Sequence, residues 1–420
     1  MADETKRKAG LVSIVIPTYN YGEYIVDALE GLKKQTYPEI EVIIIDDGSL
    51  DDTSNIVKVW RASNSGSFRN FVYFPLPRNC SSSWALNIGF YLSQGEFVVI
   101  HDADDFSYEN KLKVQVEWLQ GHPESHVVGT GYDVVNIFKA FLFLPGWISF
   151  NRKEIEINYK KGKHCVCFGT LMFRKEILNR IAGVKRIPEI RNDAIFIGEI
   201  INNGYIVDNL DLNLFTVRLH QKQKKGPRDF QKESFNIFEE RVSIIIPVRY
   251  IRYIYEIMYR IAVQTYHDLE VIIVNDLKES KTETIISEWY KLYKELNPDG
   301  IIKEIIYSHL PVEVGNPWLY NIGSYLAKGK AIFFAGNNSL LNREEIRNCF
   351  TLLSNNWPYS GIGVDNSGEI KTINWNNDFL NNTSGIMTDV SKEIYNSVML
   401  KNDIVDRTAG LAGGFPLQIL

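Results

Sequence analysis

The chain has 420 residues, 45% of them hydrophobic and 23% charged, with 46 Lys plus Arg against 51 Asp plus Glu for a formal net charge of −5. That composition is ordinary for a soluble globular protein and provides no basic surplus of the kind that marks a nucleic-acid binder. The length exceeds one ordinary core, so two or three domains are expected. The opening residues MADETKRKAG are polar and Val12 already begins a strand, so no secretory leader is expected. No apolar run approaches the ~20 residues needed to span a bilayer. Four cysteines, Cys80, Cys165, Cys167 and Cys349, form no disulfide framework and fit a reducing cytoplasm. His164-Cys165-x-Cys167 lacks the second pair that a zinc site wants.

In chain order, Val12 to Asn20 (VSIVIPTYN) is a β-branched run ending in polar residues. A helix-period stretch follows, closing on Gln35-Thr36-Tyr37-Pro38, and then a second apolar run, Ile40 to Ile45, which ends in Asp46 and Asp47. Two such runs around a helix make a βαβ unit, and near-continuous apolar strands are those of a parallel sheet covered on both faces. A third run, Glu96 to Ile100, delivers His101-Asp102-Ala103-Asp104-Asp105. Ligands in open α/β sheets bind beyond the carboxyl ends of the strands, and carboxylates there suit a hard cation beside a diphosphate. An Asp-rich turn is by itself ordinary; three acidic or polar strand ends on one sheet edge indicate a site. Asp51 and Asp52 read as solvated residues of the loop and helix start after the second strand.

Seven segments in order carry a resemblance: VSIVIPTYN (12–20), QTYPEIEVIIIDDGSLDDT (35–53), PRNCSSSWALNIG (77–89), QGEFVVIHDADD (94–105), FGTLMFRKEIL (168–178), IRNDAIFIGEIINNG (190–204) and VRLH (217–220). Residues 12–220 resemble the inverting family-2 glycosyltransferases of GT-A fold, which move a sugar from a nucleotide diphosphate to an acceptor. The fold class implied is α/β, with tandem GT-A domains: Rossmann-like, mostly parallel sheets with flanking helices.

The resemblance implies roles residue by residue. Asp47 would accept a hydrogen bond from the donor base, uracil first among the candidates, with Thr18 and Tyr19 lining the same pocket. Asp104 would be the principal ligand of Mn2+ or Mg2+, and Asp102 would turn toward the ribose or the metal. Asp193, of Arg191-Asn192-Asp193, matches the general base, and His220 matches the histidine that closes over the diphosphate or metal. Asp193 also suits the N-cap of the helix that follows it, and His220 could equally be a surface histidine at the mouth of the next segment. Two departures stand out. The family's glycine two residues after Asn79 is Ser81, and its Arg-Asn pair is Leu86-Asn87. Arg78 is the nearest cation able to replace that arginine at the donor.

The sequence then repeats. Val242 to Pro247 echoes Val12 to Pro17, Gln264-Thr265-Tyr266 echoes Gln35-Thr36-Tyr37, Leu269 to Asp276 echoes Ile40 to Asp47, and Trp318 to Gly323 echoes Trp84 to Gly89. In the second copy Gly336, Asn338 and Ser339 stand where the first has Asp102, Asp104 and Asp105, and neutral groups do not hold a hard cation at a diphosphate. Asp276 survives at the position of Asp47, and Lys401-Asn402-Asp403 faintly resembles Arg191-Asn192-Asp193. The organisation expected is a catalytic domain over 1–225, a polar and basic linker over 226–240 that starts from the Gln221–Ser234 stretch, and a degenerate, non-catalytic copy over 241–420.

The expected function is metal-dependent, inverting transfer of a hexosyl group from a nucleotide-sugar donor, a UDP-sugar foremost, to a glycan, lipid-linked or peptide acceptor. The alternative is a non-catalytic nucleotide-sugar or carbohydrate-binding scaffold. A sugar-nucleotide-forming enzyme wants a Gly-rich loop after the first strand where Pro17-Thr18-Tyr19-Asn20 stands, and no G-x-G-x-x-G follows any strand, which excludes a dinucleotide dehydrogenase. Phe141 to Phe150 is either a core strand or buried loop, or a lip for a lipid-linked or otherwise apolar acceptor. The expected location is the cytoplasm, with a peripheral contact at the inner face of a membrane and a homo-oligomer both open.

Overall fold

The computed structural model describes residues 8–181, 183–186, 191–222, 238–248, 253–277, 281–314, 316–335, 342–355, 360–365, 370–374 and 395–401. The chain divides into two compact units, Met1–Glu233 and Ser234–Leu420.

The first unit runs β1 (Lys8–Thr18), α1 (Ile25–Lys33), β2 (Ile40–Asp46), α2 (Thr53–Ser63), β3 (Asn70–Pro75), α3 (Ser82–Leu92), β4 (Gly95–Ile100), β5 (Phe106–Ser107), α4 (Lys111–Gly121), β6 (Val127–Val135), β7 (Phe141–Phe143), α5 (Arg152–Lys160), β8 (Met172–Arg174), α6 (Asn192–Asn202) and β9 (Val207–Arg218). Its sheet has the order β3-β2-β1-β4-β8-β6-β9-β5, with β7 on the side of β6. Strands β3, β2, β1 and β4 are parallel, and β8 is the antiparallel insertion between β4 and β6. Because successive side chains point to opposite faces, β1 feeds two cores. Val12, Ile14 and Ile16 meet Ile25, Leu29 and Leu32 of α1 and Val57 and Trp60 of α2. Val15 meets Leu86 and Phe90 of α3 and Phe196, Ile197 and Ile200 of α6. Each such side chain, fully buried, contributes about 1.5–3 kcal/mol, so the β-branched run is committed to the centre of the sheet.

The second unit has strands β10 (Phe238–Val248), β11 (Leu269–Asn275), β12 (Ile302–His309), β13 (Gly329–Ala335), β14 (Ser360–Asp365), β15 (Ile370–Asn374) and β16 (Tyr395–Lys401), in the order β12-β11-β10-β13-β16-β14-β15. The repeat extends to register. Val12 pairs Ile40 and Phe97, and its counterpart Val242 pairs Leu269 and Ala331, with the same irregularity just before each. The linker residues 226–237, the positions Gly336, Asn338 and Ser339, and Asp403 lie outside the described residues.

Two repeated polar devices explain repeated letters. Gln35 follows α1; its amide donates to the Tyr108 carbonyl at 2.7 Å and its oxygen accepts the Leu112 N–H at 3.1 Å, which fixes the start of α4. Gln264 does the same, to the Asn342 carbonyl at 2.9 Å and from the Ile346 N–H at 3.3 Å. The second device is a buried clasp. Ser13 Oγ donates to Glu41 at 2.5 Å and accepts from the Gly95 N–H at 2.8 Å, and Glu41 also takes the Gln94 N–H at 2.6 Å. In the second unit Ser243 donates to Glu270 at 2.6 Å and accepts from Gly329 at 2.8 Å, and Glu270 takes the Lys328 N–H at 3.0 Å. A buried carboxylate is tolerated only when so satisfied.

Candidate active site

Strands β1 and β2 end side by side at Thr18 and Asp46, and β4 ends at Ile100 beside Val15, so the segments after all three leave one sheet edge. Thr18 is buried, and its hydroxyl has no hydrogen-bond partner among the described residues. Tyr19, beside it, is exposed. Asp47 is buried, and both its oxygens receive backbone N–H groups, Cys80 at 2.6 Å and Ser81 at 3.0 Å. The loop that carries Arg78 is thereby tied down over β2. Gly48, at φ 73°, is required there: a Cβ would lie 2.6 Å from the Arg78 carbonyl carbon. Ser81 takes φ 98°, ψ 144°, a backbone region that suits glycine, at the position where the family has glycine. Asp51, expected to be solvated, accepts the Thr53 N–H at 3.1 Å and the Gly22 N–H at 3.2 Å and so joins two loops of this edge.

The carboxylates after β4 are sorted by their contacts. Asp104 is buried, and its Oδ2 lies 2.8 Å from His220 Nε2. His220 is not a surface residue. Its ring is packed on Tyr24, centroids 4.4 Å apart, and on Tyr21 at 5.8 Å. Asp105 accepts the Arg218 N–H at 2.9 Å, and the Arg218 guanidinium reaches Asp27 at 2.8 Å. Asp102 sits against the turn at Gly169, where a Cβ would come within 2.8 Å of its Oδ2. Burial, then Asp104, then Asp193 push the Asp102 carboxyl up to about 7. Burial first, then Asp104 and Asp102, also raise Asp105 well above the usual carboxylate range. The three carboxyl groups thus disfavour one another's ionisation, with Arg218 opposing this at Asp105.

Asp193 lies in the first turn of α6, one residue past its start, rather than at the N-cap, which is Arg191. The helix dipole favours a carboxylate there. Arg191 grips it with Nη2 to Oδ2 at 2.7 Å and Nε to Oδ1 at 3.2 Å. Asn192 donates to Ser83 at 2.9 Å, so the segment is joined to the start of α3.

His164 was not singled out as a site residue. Its Nε2 is 3.4 Å from Asp193 Oδ2. The two lie on segments brought together only by α5 packing beside α6, and no local spacing announces the contact. Phe141–Phe143 is an exposed edge strand on β6 rather than core, and Phe138, Phe141 and Phe143 are 82%, 63% and 50% exposed. No helix among the described residues is long and apolar enough to cross a membrane.

The family model "Glycosyl transferase family 2" matches residues 13–182 and again residues 243–414. The chain belongs to glycosyl transferase family 2. This family-2 chain is 29% identical over 183 residues to Glycosyltransferase GlyG of Streptococcus pneumoniae serotype 4, a match covering 41% of the chain and 50% of that relative. It is 32% identical over 176 residues to an uncharacterized glycosyltransferase of Rickettsia prowazekii, covering 41% of the chain and 53% of the relative. The chain spans about half the length of these curated relatives. Among solved structures, S. aureus TarS 1-349 in complex with UDP-GlcNAc is similar with TM-score 0.42 and 21% identity, over 68% of this chain and 73% of that one. As a family-2 member the chain is α/β in both units, each with a run of four parallel strands at one end of its sheet.

Proposed function

We propose that this family-2 chain is an inverting glycosyltransferase that works through residues 1–225 and takes its sugar from a nucleoside diphosphate, a uridine nucleotide first. The observation that carries the reading is geometric: the segments bearing Thr18, Asp47 and Asp104 leave one sheet edge, and His220, just past the end of β9, lies 2.8 Å from Asp104. Thr18, with its unpartnered buried hydroxyl, lines the nucleotide pocket beside Tyr19 and Asp47. Arg78, on the loop that Asp47 holds, meets the donor phosphates.

A free hydroxyl is a weak nucleophile near neutral pH. Asp193 takes the acceptor hydroxyl's proton as its oxygen bonds to the anomeric carbon; the bond from that carbon to the diphosphate oxygen breaks, and its electron pair leaves with the nucleotide. Such a base contributes about 10^2–10^4 in rate. Attack opposite the leaving group inverts the anomeric centre.

The residues fit a divalent cation. Asp102 and Asp104 concentrate charge that a cation relieves, and His220 closes on Asp104. Among the described residues no group of three or more acidic, His or Cys side chains is arranged to hold a metal. A Mg2+-like or Mn2+-like ion is commonly bound by one or two carboxylates and completed by phosphate and water. Asp104 and Asp102 would hold it, and it would neutralise charge on the departing diphosphate. The second copy, 241–420, lacks these carboxylates in its sequence and serves as a non-catalytic unit for acceptor or partner.

The acceptor class is a glycan, lipid-linked or peptide acceptor, and the exposed Phe141–Phe143 strand favours an apolar element in it. The competing reading, a binding scaffold, is favoured by Arg191, which occupies both oxygens of Asp193.

The test is a thermal-shift and donor-hydrolysis screen of UDP-, GDP- and TDP-sugars with and without Mn2+, on wild type and Asp104→Asn. Metal-dependent stabilisation and slow hydrolysis, both lost in the variant, support the enzyme. Donor-dependent stabilisation without hydrolysis or transfer supports the scaffold instead.

A further inference from the structure

We propose that Tyr159 and His164 form a relay that positions Asp193, presenting an N–H to one carboxylate oxygen so that the other is turned to the acceptor. The inference rests on the reading of Asp193 as the base. Both are positioning residues, for neither touches the reacting atoms.

The proton positions follow from the contacts. Tyr159, in the last turn of α5, has its phenol oxygen 2.8 Å from His164 Nδ1. Burial raises the phenol's pKa, so it keeps its proton. The hydroxyl has one proton to give, and in the proposed relay Nδ1 receives it. A neutral imidazole that accepts at Nδ1 carries its own proton on Nε2. That Nε2 is the atom 3.4 Å from Asp193 Oδ2, with the imidazole largely buried. The separation is longer than an ordinary hydrogen bond, and catalytic contacts commonly tighten only once substrate is bound.

The ring has little freedom to leave. The Trp147 indole lies on it with centroids 5.2 Å apart and planes 23° from parallel, and Tyr159 meets it edge-on at 5.8 Å. Trp147 is itself held by a 3.2 Å hydrogen bond to the Tyr132 hydroxyl. Burial pushes the His164 pKa down, with Asp193 opposing and Arg191 reinforcing, which keeps the ring neutral. With its Nε2 already protonated, His164 does not compete for the acceptor's proton. It joins the donors already on the carboxylate, Arg191 at both oxygens and the Ala194 N–H at Oδ1, and approaches Oδ2 beside Arg191.

The experiment follows nucleotide release from UDP-, GDP- and TDP-hexoses by the full chain carrying His164→Ala, His164→Gln, Tyr159→Phe or Asp193→Asn. His164→Ala should lower kcat about 10- to 100-fold, the scale of a misplaced catalytic group, with donor KM unchanged. Its acid limb should move to higher pH, because a lost N–H donor raises a carboxylate's pKa. His164→Gln, which restores an N–H, should recover part of the rate, and Tyr159→Phe should cost less than His164→Ala. Unchanged kcat and pH profile in His164→Ala, or a loss confined to KM, overturns the relay while leaving Asp193 as base. Full activity in Asp193→Asn, or no turnover by wild type, overturns the base and the relay with it. Should His164→Ala fail to fold, nitrogen NMR of the wild-type histidines decides: an Nε2–H tautomer at His164 supports the relay, and an Nδ1–H tautomer overturns it.

Discussion

The carboxylate of Asp47 accepts the Ser81 N–H at 3.0 Å while Ser81 is held at φ 98°. A side chain in that region costs about 1–3 kcal/mol, and here the neighbouring loop, not the residue's own preference, maintains it. Ser81→Gly should relieve the strain, less about 0.5–1 kcal/mol for glycine's greater freedom when unfolded. The net gain of about 1 kcal/mol would raise the melting temperature by about 2–4 °C for a unit of this size. An unchanged or lower melting temperature would show that the strain is relaxed in solution.

His220→Ala removes the donor from a buried carboxylate. Loss of a partner at a buried charged group costs about 1–3 kcal/mol or more, so the variant should melt lower than wild type. Nucleotide-dependent stabilisation should weaken as well, since Asp104 loses the neighbour that orients it. Scanning calorimetry with and without UDP and Mn2+ separates the two effects.

Asp193→Asn keeps the shape of the side chain and removes its basicity. Turnover should fall about 10^2- to 10^4-fold. Stabilisation by UDP with Mn2+ should be retained, because the substitution keeps the side chain's shape and the role proposed for Asp193 is toward the acceptor. A parallel loss of nucleotide stabilisation would reassign Asp193 to donor binding.

Lys111 is fully buried over the Phe215 ring, 5.7 Å from its centroid, and burial pushes its ammonium down to about 7. The unfolded chain, with a lysine pKa near ~10.4, then binds more protons than the folded one between about 7 and about 10.4. The penalty is absent above that window, grows as pH falls through it and is complete below about 7. Lys111→Met should therefore be more stable than wild type at pH 7, with the difference shrinking toward pH 10. Urea midpoints at the two pH values check this; a constant difference would mean that the ammonium is solvated.

The fold was legible because its signal is periodic and local. Val12 to Ile16 and Ile40 to Ile45 could serve only as strands covered on both faces, and their polar ends marked the edge where Thr18, Asp47, Asp102 and Asp104 gather. Ser81 was legible as a departure, and its backbone angle shows what that departure costs locally. The His164 contact was not legible, because the ring meets Asp193 through two helices joined by a long excursion, and the only motif around it, His164-Cys165-x-Cys167, lacks the second pair of a zinc site. Nor was the role of Glu41, which in a strand reads as an anomaly until Ser13 and the Gln94 and Gly95 amides are seen around it.

The doubled clasp turns the second unit into an internal control for the first. Glu41 recurs as Glu270 with the same serine and glycine about it, so this buried acid belongs to the scaffold. Asp47 recurs as Asp276, which likewise takes a loop N–H, from Val314 at 2.9 Å, so part of its work is architectural too. Asp102 and Asp104 have no acidic counterpart at Gly336 and Asn338. One chain thus holds two readings of the same plan, and subtracting one from the other leaves the carboxylates that the fold does not need.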